Sequence, residues 1–172
     1  MPDDKNVSPA PRVVVMGVSA SGKSSVGRAL AERLNASFVD ADDLHPRANV
    51  EKMTAGIPLD DADRAPWLEV VAERLASTTG GRGTVVACSA LKRAYRDRLR
   101  QSAPDTVFVH LTGSAAMLGL RAGDRNGHFM PMSLLQSQLD TLEALGDDEA
   151  GFALDVAESV AELAREAAER IA

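Results

Sequence analysis

VVVMGVSASGKSSV, residues 13–26, passes from an unbroken apolar run through small polar residues and a lysine into an amphipathic pattern. Gly17, Gly22, Lys23 and Ser24 satisfy G-x-x-x-x-G-K-[ST], and the flanking VVVM and V-x-x-x-L supply the strand and helix that this motif requires. The loop Gly17, Val18, Ser19, Ala20, Ser21 and Gly22 is small enough to curl. Its N–H groups then converge on phosphate oxygens at the positive end of the following helix. Lys23 adds a full charge toward the β and γ phosphates, and the Ser24 hydroxyl suits a Mg²⁺ ion bridging the same groups. The plain alternative is a glycine-rich turn with no ligand, but strand, spacing, lysine and hydroxyl together point to a nucleoside triphosphate cradle.

Outward from this loop, short β-rich runs alternate with helical patterns: RVVVM (12–16), SFVD (37–40), TVVAC (84–88), VFVHL (107–111) and a weaker FALDV (152–156). The runs are continuously apolar, as expected of parallel strands covered on both faces by crossover helices. Apolar spacing near 3.6 predicts helices over 22–34, 64–78, 91–101, 114–122, 133–145 and 157–171. The GGRG stretch, 80–83, is expected to end one of them with a left-handed glycine. Residues 1–11, with three prolines and two aspartates, read as a flexible leader, and 12–172 as a single domain. Two polar intervals interrupt the alternation, 45–64 and 121–132, and such insertions are where substrate loops and lids sit.

Composition narrows the function classes. Aromatics make up only 3% of the 172 residues, so the core must be aliphatic. A formal charge of −6 works against nucleic acid or anionic membrane as a partner, since both need a positive face. Cys88 is the sole cysteine, which excludes an intrachain disulfide and suits a reducing compartment. With no signal-peptide pattern and no apolar run long enough to cross a bilayer, the expectation is a cytoplasmic protein. The chain lacks the N-K-x-D guanine signature and the length of most motor ATPases, so ATP-dependent phosphoryl transfer leads.

Asp40 ends the second predicted strand and Asp42 follows two residues on, at the carboxyl edge where open parallel sheets bind ligands. Asp40 is assigned to Mg²⁺, and Asp42 to the acceptor hydroxyl as orienting group or base. Both also suit turn or helix-cap duty.

HPRANVEKMTAGIPLDDADRAPWL (45–68), together with CSALKRAYRDRLR (88–100) and GHFMPMSLLQSQLDTLE (127–143), resembles the short bacterial-type gluconokinases, which phosphorylate D-gluconate at its 6-hydroxyl with ATP. The similarity runs in order from Val13 to Glu143. Ala20 departs from it, many relatives carrying glycine there, and GFALDVAES (151–159) matches only loosely. The resemblance implies a three-layer P-loop kinase fold, a parallel five-stranded sheet of order 2-3-1-4-5 with a mobile lid, and a homodimer. Shikimate kinases share D-x-D after the second strand, but HPRANVEKM argues against a shikimate-like acceptor. A nucleotide-binding regulatory module without transfer is disfavoured by the paired aspartates.

Gluconate offers one carboxylate and five hydroxyls, so its site needs fixed cations and short hydrogen-bonding groups. Arg47 is the first choice as carboxylate anchor and Arg64 the second, because a guanidinium can give two parallel bonds. Each can instead pair with Asp60, Asp61 or Asp63 at the surface. Lys92, expected one turn into a helix capped by Ser89, is a candidate for substrate or γ-phosphate. Arg93, Arg96, Arg98 and Arg100 spread around that helix and read as solvated charge. His45 binds a hydroxyl or merely shapes the loop before Pro46, and Cys88 reads as a buried small residue. In the lid, the resemblance implies that Arg121 stacks on adenine and Arg125 reaches the phosphates during transfer. Helix-end duty is the alternative for both. His128 is a candidate to fold over substrate.

Overall fold

The five apolar runs form one sheet in the computed structural model, which describes residues 10–77, 81–123 and 132–171. The strands are β1 (Arg12–Met16), β2 (Ser37–Asp40), β3 (Thr84–Ala87), β4 (Val107–Thr112) and β5 (Gly151–Asp155). All pairings are parallel, as the apolar runs led one to expect, and the order is β2-β3-β1-β4-β5, as the resemblance implies. Burial explains the composition of each strand. Val13, Val14, Val15, Val85, Val86, Phe108 and Val109 are fully buried in the three inner strands, whereas the edge strands β2 and β5 stay partly open and carry the mixed sequences SFVD and GFALD.

The chain moves from β1 to β2 in one direction across the sheet and returns through β3 to β4. Right-handed crossovers then put the first helix and the next two on opposite faces. Accordingly α1 (Lys23–Leu34) packs with α7 (Val160–Ile171), while α3 (Asp61–Ala76) packs with α4 (Arg93–Ser102). The reversal of direction falls beside β1, so the carboxyl ends of β1, β2 and β3 open toward one crevice.

Several boundaries differ from the sequence expectation. The interval 45–64 is largely helical: a 3-10 turn, Ala41–Leu44, leads to α2 (Arg47–Thr54), and α3 starts at Asp61, three residues early. The acidic run is the cause. Asp60 accepts from the Asp63 N–H at 2.7 Å, and the Asp63 carboxylate accepts from the Asp60 N–H at 3.0 Å, a reciprocal cap that starts the helix. Helix α3 ends at Ala76 with Ser77 extended; Gly81, at φ 75°, serves the later turn into β3 and not the helix end. Helix α4 begins at Arg93, with Lys92 at its cap position, so Ser89 is not its cap and Lys92 is not a turn inside it. Its first N–H is held instead by Glu143, 2.9 Å from the Arg93 nitrogen. The later helices are α5 (Ala115–Gly123) and α6 (Met132–Thr141). Residues 1–9 of the expected leader, 1–11, and most of the expected lid lie outside the described residues. Pro11, placed in that leader, accepts the Thr84 N–H at 2.8 Å and so extends the ladder of β1.

Arg96 is the clearest departure from the reading of solvated charge. It is fully buried, and its guanidinium meets both oxygens of Glu149 at 2.8 and 3.0 Å and the Ala90 carbonyl at 2.9 Å. Arg93, Arg98 and Arg100 do lie nearer solvent, in pairs with Asp148, Glu69 and Asp97.

His110 on β4 is 4% exposed, and burial, with Arg96 adding to it, pushes its pKa down from 6.5 to about 4. The unfolded chain therefore takes up a proton near pH 6.5 while the folded chain resists until near pH 4. Stability is fully present above the unfolded value and is lost as pH falls. His110 should account for about 2 kcal/mol of loss between pH 7 and pH 5. Urea titrations at both pH values should show that loss in the parent and most of it removed in His110→Leu; an unchanged slope in the variant would count against this origin.

Candidate active site

Three strand ends build the site. The loop after β1 supplies the cradle, and its first residue is tied across the sheet by the Gly17 N–H donating to the Ser89 carbonyl at 3.3 Å. Gly17 sits at φ 150°, and a Cβ there would come within 2.8 Å of Ser21 Oγ and 2.9 Å of the Leu111 carbonyl. Only glycine fits so closely packed a start to the loop. Lys23 opens α1 and its Nζ lies 3.0 Å from the Val18 carbonyl, folded back along the loop. Among the described residues the buried Ser21 Oγ has no hydrogen-bond partner. A glycine-flanked loop that runs into a helix N-terminus, with a lysine at the first helical position, fits an anionic ligand.

Ala20 carries strain. Its φ is 67°, in the left-handed region that costs a Cβ-bearing residue about 1–2 kcal/mol. A glycine would take this conformation without that cost. Ala20→Gly should raise stability by about 1 kcal/mol, the relief being partly offset by a more flexible unfolded chain. Urea midpoints at constant m-value would check it, and a destabilised glycine variant would contradict it.

Asp40 ends β2 with both carboxylate oxygens engaged. Oδ2 accepts from Ser24 Oγ at 2.6 Å and Oδ1 accepts from the Asp42 N–H at 3.0 Å. Asp40 thus caps the 3-10 turn that follows β2. A hydroxyl and a carboxylate side by side are hard oxygen donors, and they fit Mg²⁺. By contrast, no hydrogen bond to the Asp42 carboxylate is made among the described residues, and Asp42 lines a cleft of about 430 Å³.

That cleft joins the halves of the site. Ser19 and Lys23 of the phosphate loop line it together with Asp42, His45, Arg64 and Trp67. Burial lowers the pKa of His45, against the pull of Asp42, so the ring is neutral at pH 7. Arg64 is only 9% exposed, and its Nη1 donates to the Tyr95 hydroxyl at 2.9 Å while the guanidinium stacks 5.4 Å from that ring. Tyr95 in turn donates to Asp61, which also accepts from Lys92 Nζ at 3.1 Å. The Tyr95 hydroxyl is the main cause that lowers the Asp61 pKa.

The candidates are not all brought together. Arg47 is 93% exposed at the side chain, pairs with Glu51 one turn along α2 at 3.0 Å, and does not line the cleft. Lys92 approaches through Asp61 without lining it. Arg125 and His128, and the side chain of Arg121, lie outside the described residues. Burial pushes the Cys88 thiol up to about 12, which leaves it inert, in keeping with a packing role.

Sequence reasoning missed Trp67, Tyr95, Asn49 and Gln138. Trp67 and Tyr95 are the only tryptophan and tyrosine in an aromatic-poor chain, and that rarity was the available signal. Gln138, on α6, accepts from the Ser19 N–H at 2.7 Å, a contact between residues 119 apart that no local pattern announces.

Known proteins resemble this chain over most of its length. The family profile described as AAA domain matches residues 13–145. A gluconokinase of Gluconobacter oxydans is 54% identical over 138 residues, which are 80% of this chain and 78% of that protein. The crystal structure of a gluconokinase from Sinorhizobium meliloti 1021 superposes with a TM-score of 0.86 at 53% identity, covering 95% of this chain and 91% of the other. An unliganded sugar kinase from Janibacter sp. HTCC2649 gives 0.89 at 47%, covering 95% and 96%. A phosphate loop facing a buried arginine across one cleft, on a sheet shared with proteins this similar, leads to one assignment: the chain belongs to the gluconokinase family of P-loop kinases.

Proposed function

We propose that this chain transfers the γ-phosphoryl group of ATP to the 6-hydroxyl of D-gluconate. The observation that carries the reading is the shared cleft, with Lys23 lining it from the phosphate loop and Asp42 and Arg64 lining it opposite. Backbone N–H groups of the loop and Lys23 hold the phosphates. Ser24 and Asp40 would hold Mg²⁺, which would offset the charge of the triphosphate. Arg64, oriented by Tyr95, receives the carboxylate; it replaces Arg47 in this role because Arg64 lines the cleft and Arg47 does not. Asp42 accepts the proton of the attacking hydroxyl as the new P–O bond forms and the bond to ADP breaks. Arg121 and Arg125 keep the adenine and phosphate roles that the resemblance implies, His128 a substrate contact, and Lys92 supports Arg64 through Asp61 and Tyr95.

A cytoplasmic location, a homodimer and the absence of nucleic-acid or membrane partners complete the proposal. Supply of ATP and a net charge of −6 support the first and the last. No helix among the described residues is long and apolar enough to cross a membrane. A panel of acceptors in an ADP-release assay tests the reading. Gluconate should stimulate release and shikimate should not; release with another hydroxy acid and none with gluconate would overturn it.

A further inference from the structure

Asn49, on the first turn of α2, is 3% exposed, and a single atom of it does two things. Its Nδ2 lies 2.9 Å from the backbone carbonyl of Asp63 and 3.2 Å from Nδ1 of His45. A carbonyl only accepts, so the atom facing it must be the NH₂ group, and this fixes which way the amide lies. The second hydrogen of that NH₂ goes to Nδ1 of His45. Nδ1 is therefore the unprotonated ring nitrogen, and the ring proton sits on Nε2.

The ring plane is fixed as well. His45 stacks on Trp67 with centroids 4.2 Å apart and planes 11° from parallel. Trp67 is itself 1% exposed and donates its indole N–H to the Ala41 carbonyl at 2.7 Å. A second proton, on Nδ1, would point at the Asn49 N–H, and burial opposes it further, as does Arg64 on α3; Asp42 on the 3-10 turn is the charge that favours it. Among the described residues none hydrogen-bonds Nε2, while His45 lines the cleft beside Asp42 and Arg64.

We infer that Asn49 is a positioning residue that holds His45 as the Nε2–H tautomer, making it a neutral hydrogen-bond donor to a hydroxyl oxygen of the sugar acid. The donor role rests on the gluconate reading above. A hydroxyl is the partner because Arg64 already offers a charged fork to the carboxylate, and an uncharged N–H suits an uncharged acceptor. The device would read the presence of a hydroxyl oxygen without adding charge beside Asp42.

The test combines a spectroscopic and a kinetic arm. There are three histidines, so ¹⁵N-histidine spectra of the full chain can be assigned for His45 by comparison with His45→Phe. At neutral pH, Nδ1 of His45 should resonate as an unprotonated nitrogen and Nε2 as a protonated one. Asn49→Leu should give a mixture of tautomers. His45→Phe, which keeps a ring on Trp67, should raise KM for gluconate about tenfold while KM for ATP stays within about twofold, and His45→Gln should recover part of the loss. A protonated Nδ1 in the parent protein would overturn the inference, as would a His45→Phe variant whose KM for gluconate is unchanged. If gluconate turnover were absent while His45 still gave the Nε2–H signature, the substrate reading would fail and the tautomer assignment would stand.

Discussion

Asp42→Asn should lower kcat for gluconate by about 10²- to 10⁴-fold while leaving affinity for ATP within about twofold, the range that a positioned proton acceptor contributes. The two carboxylates at the end of β2 are set apart by what they bond. Asp40 is occupied on both oxygens, by Ser24 and by the backbone of residue 42, so its substitution would disturb the nucleotide side. The Asp42 side chain caps no helix among the described residues and lines the cleft. Asparagine keeps its size and leaves the backbone bond to Asp40 intact, so the substitution removes charge and basicity and little else. Steady-state kinetics with a calorimetric ATP titration separates the outcomes. A parallel loss of ATP affinity would move Asp42 to the nucleotide, and an unchanged kcat would remove it from the chemistry.

Breaking the Arg96–Glu149 pair should be the costliest change to stability. Both side chains are fully buried, and Glu149 also accepts from the Gly146 N–H at 2.7 Å and from Arg100 at 2.5 Å. Burial alone would push the Glu149 carboxyl up, but these donors, Arg96 first, outweigh it and hold it down at about 2. Glu149→Ala leaves a buried guanidinium uncompensated and should cost about 3–5 kcal/mol, a large share of the 5–15 kcal/mol that typical domains possess. The double replacement Arg96→Met with Glu149→Leu should recover much of that, because it removes the stranded charge with the pair. Urea unfolding of the three proteins checks both statements. A Glu149→Ala loss below about 1 kcal/mol would make the pair no better than an exposed bridge such as Arg165–Glu169.

Why was Arg96 legible only in the structure, when the sheet was legible in the sequence? Strands covered on both faces announce themselves locally, as RVVVM and TVVA do, and the phosphate loop is a contiguous motif. The strand order came from the resemblance, since periodicity cannot rank strands. Arg96 looks like its neighbours on a helical wheel, and what distinguishes it is a glutamate 53 residues away. Arg47, the first choice of the sequence as carboxylate anchor, does not line the cleft, whereas Arg64, the second, does. The chain resolves them by caps and partners: the acids Asp60 and Asp63 start α3, which turns Arg64 inward onto Tyr95, while α2 turns Arg47 to solvent beside Glu51. The contact of His45 with Asn49 spans only four residues, but the Asp63 carbonyl that fixes the Asn49 amide lies 14 residues away, beyond any local pattern.

A crystal structure of the protein with gluconate and a non-hydrolysable ATP analogue puts the cleft to trial. The terminal hydroxyl should lie within hydrogen-bond reach of Asp42 and in line with the γ-phosphate, and the carboxylate on Arg64. A sugar acid seated outside the cleft, or one with its carboxylate turned toward the phosphate loop, would contradict the arrangement from which every functional role here follows.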